Sequence, residues 1–266
     1  MFPNLLALDA ALFSVCWQTM TGHAFGVKGH WSHPILLAAA VWLGYTADRL
    51  LDVGAMTGSP HTLRHQFAAR HRKGLLLAWI TILGLSVFAA CLTLSGKELK
   101  VGFALAAICM ANASANHLDS IKRLPIPKEL RAALLLSSGI HLFAWTQLEE
   151  MGYGFGISFA AVTVLCFLNC CFVAKWETRI DLAHGQSSLA LRHEELTTKA
   201  FPGALAIAAI CSIIAMLWTE ATFSLMLQAT AVALLALPIL DRSCLTPEDK
   251  RALADASLFL PYLLIV

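Results

Sequence analysis

Nine apolar stretches follow one another along the chain with almost nothing between them, and this recurrence decides what the chain can fold into. Crossing the hydrocarbon core of a bilayer takes roughly 20 apolar residues in helical form. Stretches near that length run from 5 to 22, 31 to 53, 74 to 95, 101 to 118, 129 to 148, 153 to 176, 200 to 219, 222 to 240 and 252 to 266. In lipid each segment must satisfy its own backbone N–H and C=O groups, so the expected fold class is all-α, a polytopic membrane protein of about nine transmembrane helices. Composition agrees: 58% of residues are hydrophobic and 14% charged, against about a quarter charged in soluble domains. No soluble domain, low-complexity tract or long linker is left over, so 1–266 reads as a single transmembrane domain. The N-terminus lacks a basic region and has Asp9 inside its first apolar stretch, which points to a retained first helix rather than a cleaved signal peptide.

A net charge of +2 argues against nucleic acid as a partner; membrane lipids surround the chain instead. The charges are segregated. With the connection after helix two placed inside, 16 of the 19 Lys and Arg residues fall on that side, and only Lys28, Lys97 and Lys100 on the other. The excess of positive charge on inner loops then puts the loops after helices two, four, six and eight in the cytoplasm. The eight cysteines are scattered. Cys166, Cys170 and Cys171 lie within one span and read as small packing residues, because no partner set has zinc spacing.

Helix two ends Gly44-Tyr45-Thr46-Ala47-Asp48-Arg49-Leu50-Leu51-Asp52, and a spacing of four sets Asp48 and Asp52 on one helical face. Carboxylates at the edge of the hydrocarbon cost roughly 1 to 3 kcal/mol each unless something pairs them, so a cation is expected beside them. Helix six ends Lys175-Trp176-Glu177-Thr178-Arg179-Ile180-Asp181 and repeats the spacing with Glu177 and Asp181. The pairs lie 129 residues and four helices apart, so the halves run the same way through the membrane as two parallel pseudo-repeats, about 1–128 and 129–266. An arginine follows each pair, Arg64 after Asp52 and Arg192 after Asp181. Carboxylate oxygens suit Mg²⁺, which commonly completes its shell with substrate phosphate oxygens. A diphosphate would also need cations, and Arg49, Arg64, Lys122 and Arg123 all fall on the same side. The bland reading of one acidic pair is a solvated helix end; two pairs with arginines at matching offsets argue against it.

These residues resemble the UbiA superfamily of intramembrane prenyltransferases, whose pattern is an Asn-Asp-x-x-Asp-x-x-x-Asp box after helix two and a related box after helix six. Asp48-Arg49-Leu50-Leu51-Asp52 is similar to the core of the first box, and Thr62-Leu63-Arg64 to a Thr-x-Arg-Pro element without its proline. Asp181-Leu182-Ala183-His184-Gly185-Gln186-Ser187-Ser188-Leu189-Ala190 resembles the Asp-x-x-x-Gly-x-x-Ser/Thr-Leu-Pro/Ala stretch of the second half. Ser120-Ile121-Lys122-Arg123 resembles the Lys-Arg loop after helix four. The chain departs from the pattern where the leading Asn-Asp falls on Gly44-Tyr45 and on Val173-Ala174, and where Glu177 replaces an aspartate.

The resemblance implies a helical bundle around a central cavity. Asp48, Asp52, Glu177 and Asp181 would bind Mg²⁺ as catalytic groups, while Arg49, Arg64, Lys122 and Arg123 would hold a polyprenyl diphosphate on the cytoplasmic side. The activity expected is ionisation of that donor and transfer of the prenyl group to a small hydrophobic acceptor. Cyclisation of the donor alone is the alternative within the fold, and a non-catalytic membrane carrier or binding protein the alternative outside it. His141, Asn112, Asn116, His117 and Asp119 are read as helix-to-helix hydrogen-bonding residues. His61, His65, His71, His184 and His193 are read as solvated loop residues.

Overall fold

The computed structural model describes residues 6, 8–55, 63–117, 126–183, 189–192 and 194–259, with the backbone alone at 55, 116, 117, 180, 181 and 183. Among these, every regular element is a helix: α1 (Leu8–Ala24), α2 (Ser32–Ala55), α3 (Leu63–Arg70), α4 (Arg72–Thr93), α5 (Gly96–His117), α6 (Lys128–Gln147), α7 (Tyr153–Trp176), α8 (Thr178–Ala183), α9 (Leu189–Arg192), α10 (Glu194–Leu217), α11 (Ala221–Arg242) and α12 (Pro247–Ser257).

Six of them, α2, α4, α5, α7, α10 and α11, are long and apolar enough to cross a membrane. The three other expected spans differ for separate reasons. The first is a helix of 17 residues. The fifth, α6, has the length, but it carries Lys128, Glu129 and Arg131 in its first turn and Ser137, Ser138 and His141 at its middle. The ninth was expected over 252–266, yet α12 starts at Pro247 and ends at Ser257. Thr246 explains that start: its hydroxyl accepts the Asp249 N–H at 3.2 Å, and Pro247 has the fixed φ that suits a first helical position. Residues 260–266 lie outside the described residues.

Two compact units divide the chain, Met1–Val15 with Gly29–Pro125, and Cys16–Lys28 with Ile126–Val266. In the first, α2 packs against α3, α4 and α5. The indole of Trp79 donates to Leu43 O at 2.9 Å and ties α4 to α2, and Trp42 donates to Leu6 O at 2.9 Å. At the opposite end of α2, His33 Nε2 lies 3.3 Å from Glu98 Oε1 at the start of α5. Glu98 also accepts the Ser95 N–H at 2.8 Å, so a single carboxylate caps α5 and joins it to α2. None of the residues of α4 is buried, as suits a helix that meets hydrocarbon on most sides.

The second unit is built around α7 and α11, whose Val162, Leu165, Phe172, Phe223, Met226, Leu227, Leu234 and Leu237 are almost wholly buried. Helix α10 reaches this core with a stripe of small residues, Ala200, Ala204, Ala208, Cys211 and Ala215, all buried. Their spacing of three and four sets them on one face, and small side chains let helix backbones approach in a bilayer where hydrophobic burial supplies little drive. Helix α1 ends where Gly26 takes φ 63°, a conformation glycine adopts without penalty, and the Val27 N–H returns to Gly22 O at 2.9 Å. Cys166 and Cys171 are buried and Cys170 half-buried, and all eight thiols are free.

Candidate functional site

The first acidic box occupies the C-terminal end of α2 without a break in the helix. Helical geometry therefore sets Asp48 and Asp52 one turn apart on the same face. Asp48 is exposed and Asp52 half-buried. The connection from α2 returns through α3, and its Arg64 comes within electrostatic reach of Arg49, which also feels Asp9, Tyr45 and Asp48. Two guanidinium groups that feel each other repel, and carboxylates or a bound anion relieve that repulsion. Arg72 adds a further cation, its Nη2 3.6 Å from where a Cβ on Gly54 would stand.

Helix α3 also corrects the reading of His65 as a solvated loop residue. It is 5% exposed, and its Nε2 lies 3.6 Å from Asp52 Oδ2. That is too long for a hydrogen bond and within ion-pair range when the imidazole is protonated. His65 and Ala68 are the buried residues of α3. Eight residues are too short a run for that face to stand out in sequence.

The second box is built differently. Helix α7 stops at Trp176, Glu177 is its C-terminal cap at φ −90° and ψ 4°, and α8 begins at Thr178. The break between the two helices therefore falls at Glu177, with Asp181 inside α8. At this break the Thr178 hydroxyl lies 3.0 Å from Ala174 O and 2.8 Å from Lys175 O, donating to the carbonyls of the preceding turn. Glu177 is buried, and Arg251 Nη1 donates to its Oε1 at 2.8 Å. Asp255, one turn further along α12, lies 4.0 Å from Arg251 Nε and accepts from Asn169 Nδ2 at 3.5 Å. Of Asp181 the backbone alone is described, within α8.

Two flanking contacts fix this end of the second unit. Asp241 of α11 accepts from Lys175 Nζ at 2.7 Å and from the Trp176 indole at 2.8 Å, and Lys250 Nζ donates to its carbonyl at 2.9 Å. Glu129 of α6 is buried and accepts the Leu189 N–H at 2.9 Å, anchoring α9. Leu189 and Ala190 close the stretch that begins at Asp181, and both are buried. Within the spans, His141 Nδ1 donates to Ser137 O at 2.9 Å and Nε2 is 2.8 Å from Ser158 Oγ on α7, the helix-to-helix role expected of it.

The structure thus brings Asp48, Arg49, Asp52 and Arg64 together at one end of α2, and joins Glu177 to Arg251. Lys122 and Arg123 lie outside the described residues, as do Asp119 and the stretch 184–188. The sequence reading missed His65, Glu129, Asp241, Arg251 and Asp255. A signal existed for the last pair, since Arg251 and Asp255 stand four apart just after a Thr-Pro helix start.

Whether the carboxylates suit Mg²⁺ has a different answer in each box. Among the described residues no group of three or more His, Cys, Asp or Glu side chains is placed to hold a metal. Asp48 and Asp52 supply hard oxygens on one helical face, a donor type that Mg²⁺ accepts alongside its own waters and phosphate oxygens. Glu177 does not fit in the same way, because a guanidinium already occupies it. No protein-family model, no curated protein and no solved structure matches the chain.

Proposed function

We propose that the protein is an intramembrane prenyltransferase that ionises a polyprenyl diphosphate and transfers the prenyl group to a small hydrophobic acceptor. The observation that carries the reading is that Arg49 lies within electrostatic reach of both Arg64 and Asp48, at the end of a helix long and apolar enough to cross a membrane. Arginine presents a planar fork of donors that matches phosphate oxygens two at a time, so two arginines within electrostatic reach of each other suit the anionic end of such a donor. Its apolar tail would lie among the hydrocarbon-facing helices. The resemblance of the two boxes to the UbiA pattern supports the same reading, and with it a site open to the cytoplasm where Lys122 and Arg123 add positive charge.

In the reaction the bond between the allylic carbon and the diphosphate oxygen breaks, and both electrons leave with the diphosphate. Arg49 and Arg64 stabilise the charge that develops on the leaving oxygens, a contribution worth roughly a hundred- to a thousandfold for one well-placed donor. Mg²⁺ bound at Asp48 and Asp52 would further neutralise that leaving group. The acceptor then forms a carbon bond to the allylic cation and loses a proton.

The test is release of inorganic diphosphate from geranylgeranyl diphosphate by purified protein in detergent, with and without Mg²⁺ and with a membrane extract as acceptor source. We expect release that falls at least a hundredfold in Arg49→Met and Arg64→Met. Product mass separates transfer from cyclisation. Absence of release with this donor and with shorter ones would overturn the reading in favour of a carrier or binding role.

A further inference from the structure

We infer that Arg251 is the resident counter-cation of Glu177 and keeps that carboxylate from serving as a metal ligand. The inference rests on reading Glu177 as a member of the second acidic box of a prenyltransferase. Its basis is geometric. The Arg251 Nη1 to Glu177 Oε1 distance is 2.8 Å, with the two side chains 19% and 11% exposed. That is the length of a charge-assisted bond, and the low exposure shields it from screening by salt.

Arginine keeps its charge at every accessible pH, so Arg251 cannot leave Glu177 by losing a proton. A divalent ion at Glu177 would have to displace the guanidinium or stand beside it as a like charge. Displacement would strip a largely buried cation of its closest partner, the situation that makes breaking such pairs costly. The neighbours hold the arrangement in place: Asp255 lies 4.0 Å from Arg251 Nε, and its other oxygen faces Asn169 at 3.5 Å. Asn169 and Glu177 stand eight residues apart at the end of α7, and Asp255 and Arg251 four apart on α12, so α12 lies along this stretch of α7. The second box thus carries its cation on α12.

The experiment counts Mn²⁺, a spectroscopic probe for Mg²⁺, bound per chain by the full-length protein in detergent, from the electron paramagnetic resonance of free Mn²⁺ after equilibrium dialysis. Glu177→Gln should bind as many ions as the wild type. Arg251→Met should gain one ion, which the double variant Glu177→Gln/Arg251→Met loses again and which Arg251→Lys never acquires. Fewer ions on Glu177→Gln than on the wild type, or no gain in Arg251→Met, would overturn the inference. Should Arg251→Met fail to fold, Glu177→Gln against the wild type decides it alone. The count uses no prenyl donor, so a failure of diphosphate release and a failure of this prediction are separate results.

Discussion

Replacing Glu129 by alanine removes the acceptor that holds the Leu189 N–H at 2.9 Å, in a place where Glu129 is 7% and Leu189 2% exposed. A donor so buried cannot turn to water. Leaving one unsatisfied costs about 1 to 3 kcal/mol, more than the net worth of the bond itself, which is about 1 kcal/mol. Taking about 2 kcal/mol as a working figure, the local opening equilibrium around α9 shifts by about 30-fold, since each 1.4 kcal/mol is a factor of ten. Amide hydrogen exchange followed by mass spectrometry on peptides covering Leu189 reads this directly, because exchange from a locally opened state tracks the opening free energy. Glu129→Gln keeps a carbonyl oxygen at the acceptor position and should stay within about threefold of the wild type. Under the proposed function, diphosphate release should fall with protection in the alanine variant and be largely kept in the glutamine variant. Unchanged exchange at Leu189 in Glu129→Ala would refute the reasoning, for it would mean that the carboxylate does not anchor α9.

Three further outcomes follow from the geometry. Asp241→Ala should destabilise the detergent-solubilised protein by about 1.5 to 3 kcal/mol in denaturant titration, because it strips the half-buried indole of Trp176 of a charged acceptor; Lys175→Met, whose side chain is 40% exposed, should cost under about 1 kcal/mol. A double-mutant cycle on His141→Phe and Ser158→Ala should give a coupling of about 0.6 kcal/mol, the usual size for a hydrogen bond between membrane helices, and no coupling would mean that the 2.8 Å contact does not join α6 to α7. Cys244 is exposed between α11 and α12, so a membrane-impermeant maleimide should label it in inverted vesicles and not in intact cells; the reverse would overturn the cytoplasmic placement of the basic loops.

The apolar stretches that became α2, α4, α5, α7, α10 and α11 were readable because hydropathy is a sum over local composition, and a bilayer responds to that sum. The ninth stretch meets a described helix only over 252–257, for a reason that the sum conceals. Its apolar tail reads as the body of a span, but the helix is set by Thr246 and Pro247 upstream, and it ends where the Leu258 carbonyl accepts the Trp17 indole at 3.1 Å. The first acidic box was legible because both of its members sit on one unbroken helix, where spacing is geometry. The second was less so, because one helix ends at Trp176 and the next begins at Thr178, so the same spacing of four starts at a helix break that the residues themselves do not announce.

Partners across the fold were the hardest to see. Asp48 and Asp52 invite the expectation of a cation, and Glu177 invites the same one, yet the cation that meets Glu177 stands 74 residues away, at a position read as a cytoplasmic loop. Local spacing states that a charge needs a partner; it cannot state whether that partner is a dissolved ion or a side chain. A carboxylate held at a helix end in apolar surroundings is stabilised by either, because both remove the cost of an isolated charge. What separates them is response. A side-chain cation is present at every metal concentration, so Glu177 should contribute to stability without Mg²⁺, whereas any stabilisation through Asp48 and Asp52 should grow with added Mg²⁺ as ligand binding to the folded state requires. Thermal unfolding of Asp48→Asn and Glu177→Gln across a Mg²⁺ titration distinguishes the two: the first should flatten the dependence on Mg²⁺, and the second should lower the midpoint by the same amount at every concentration.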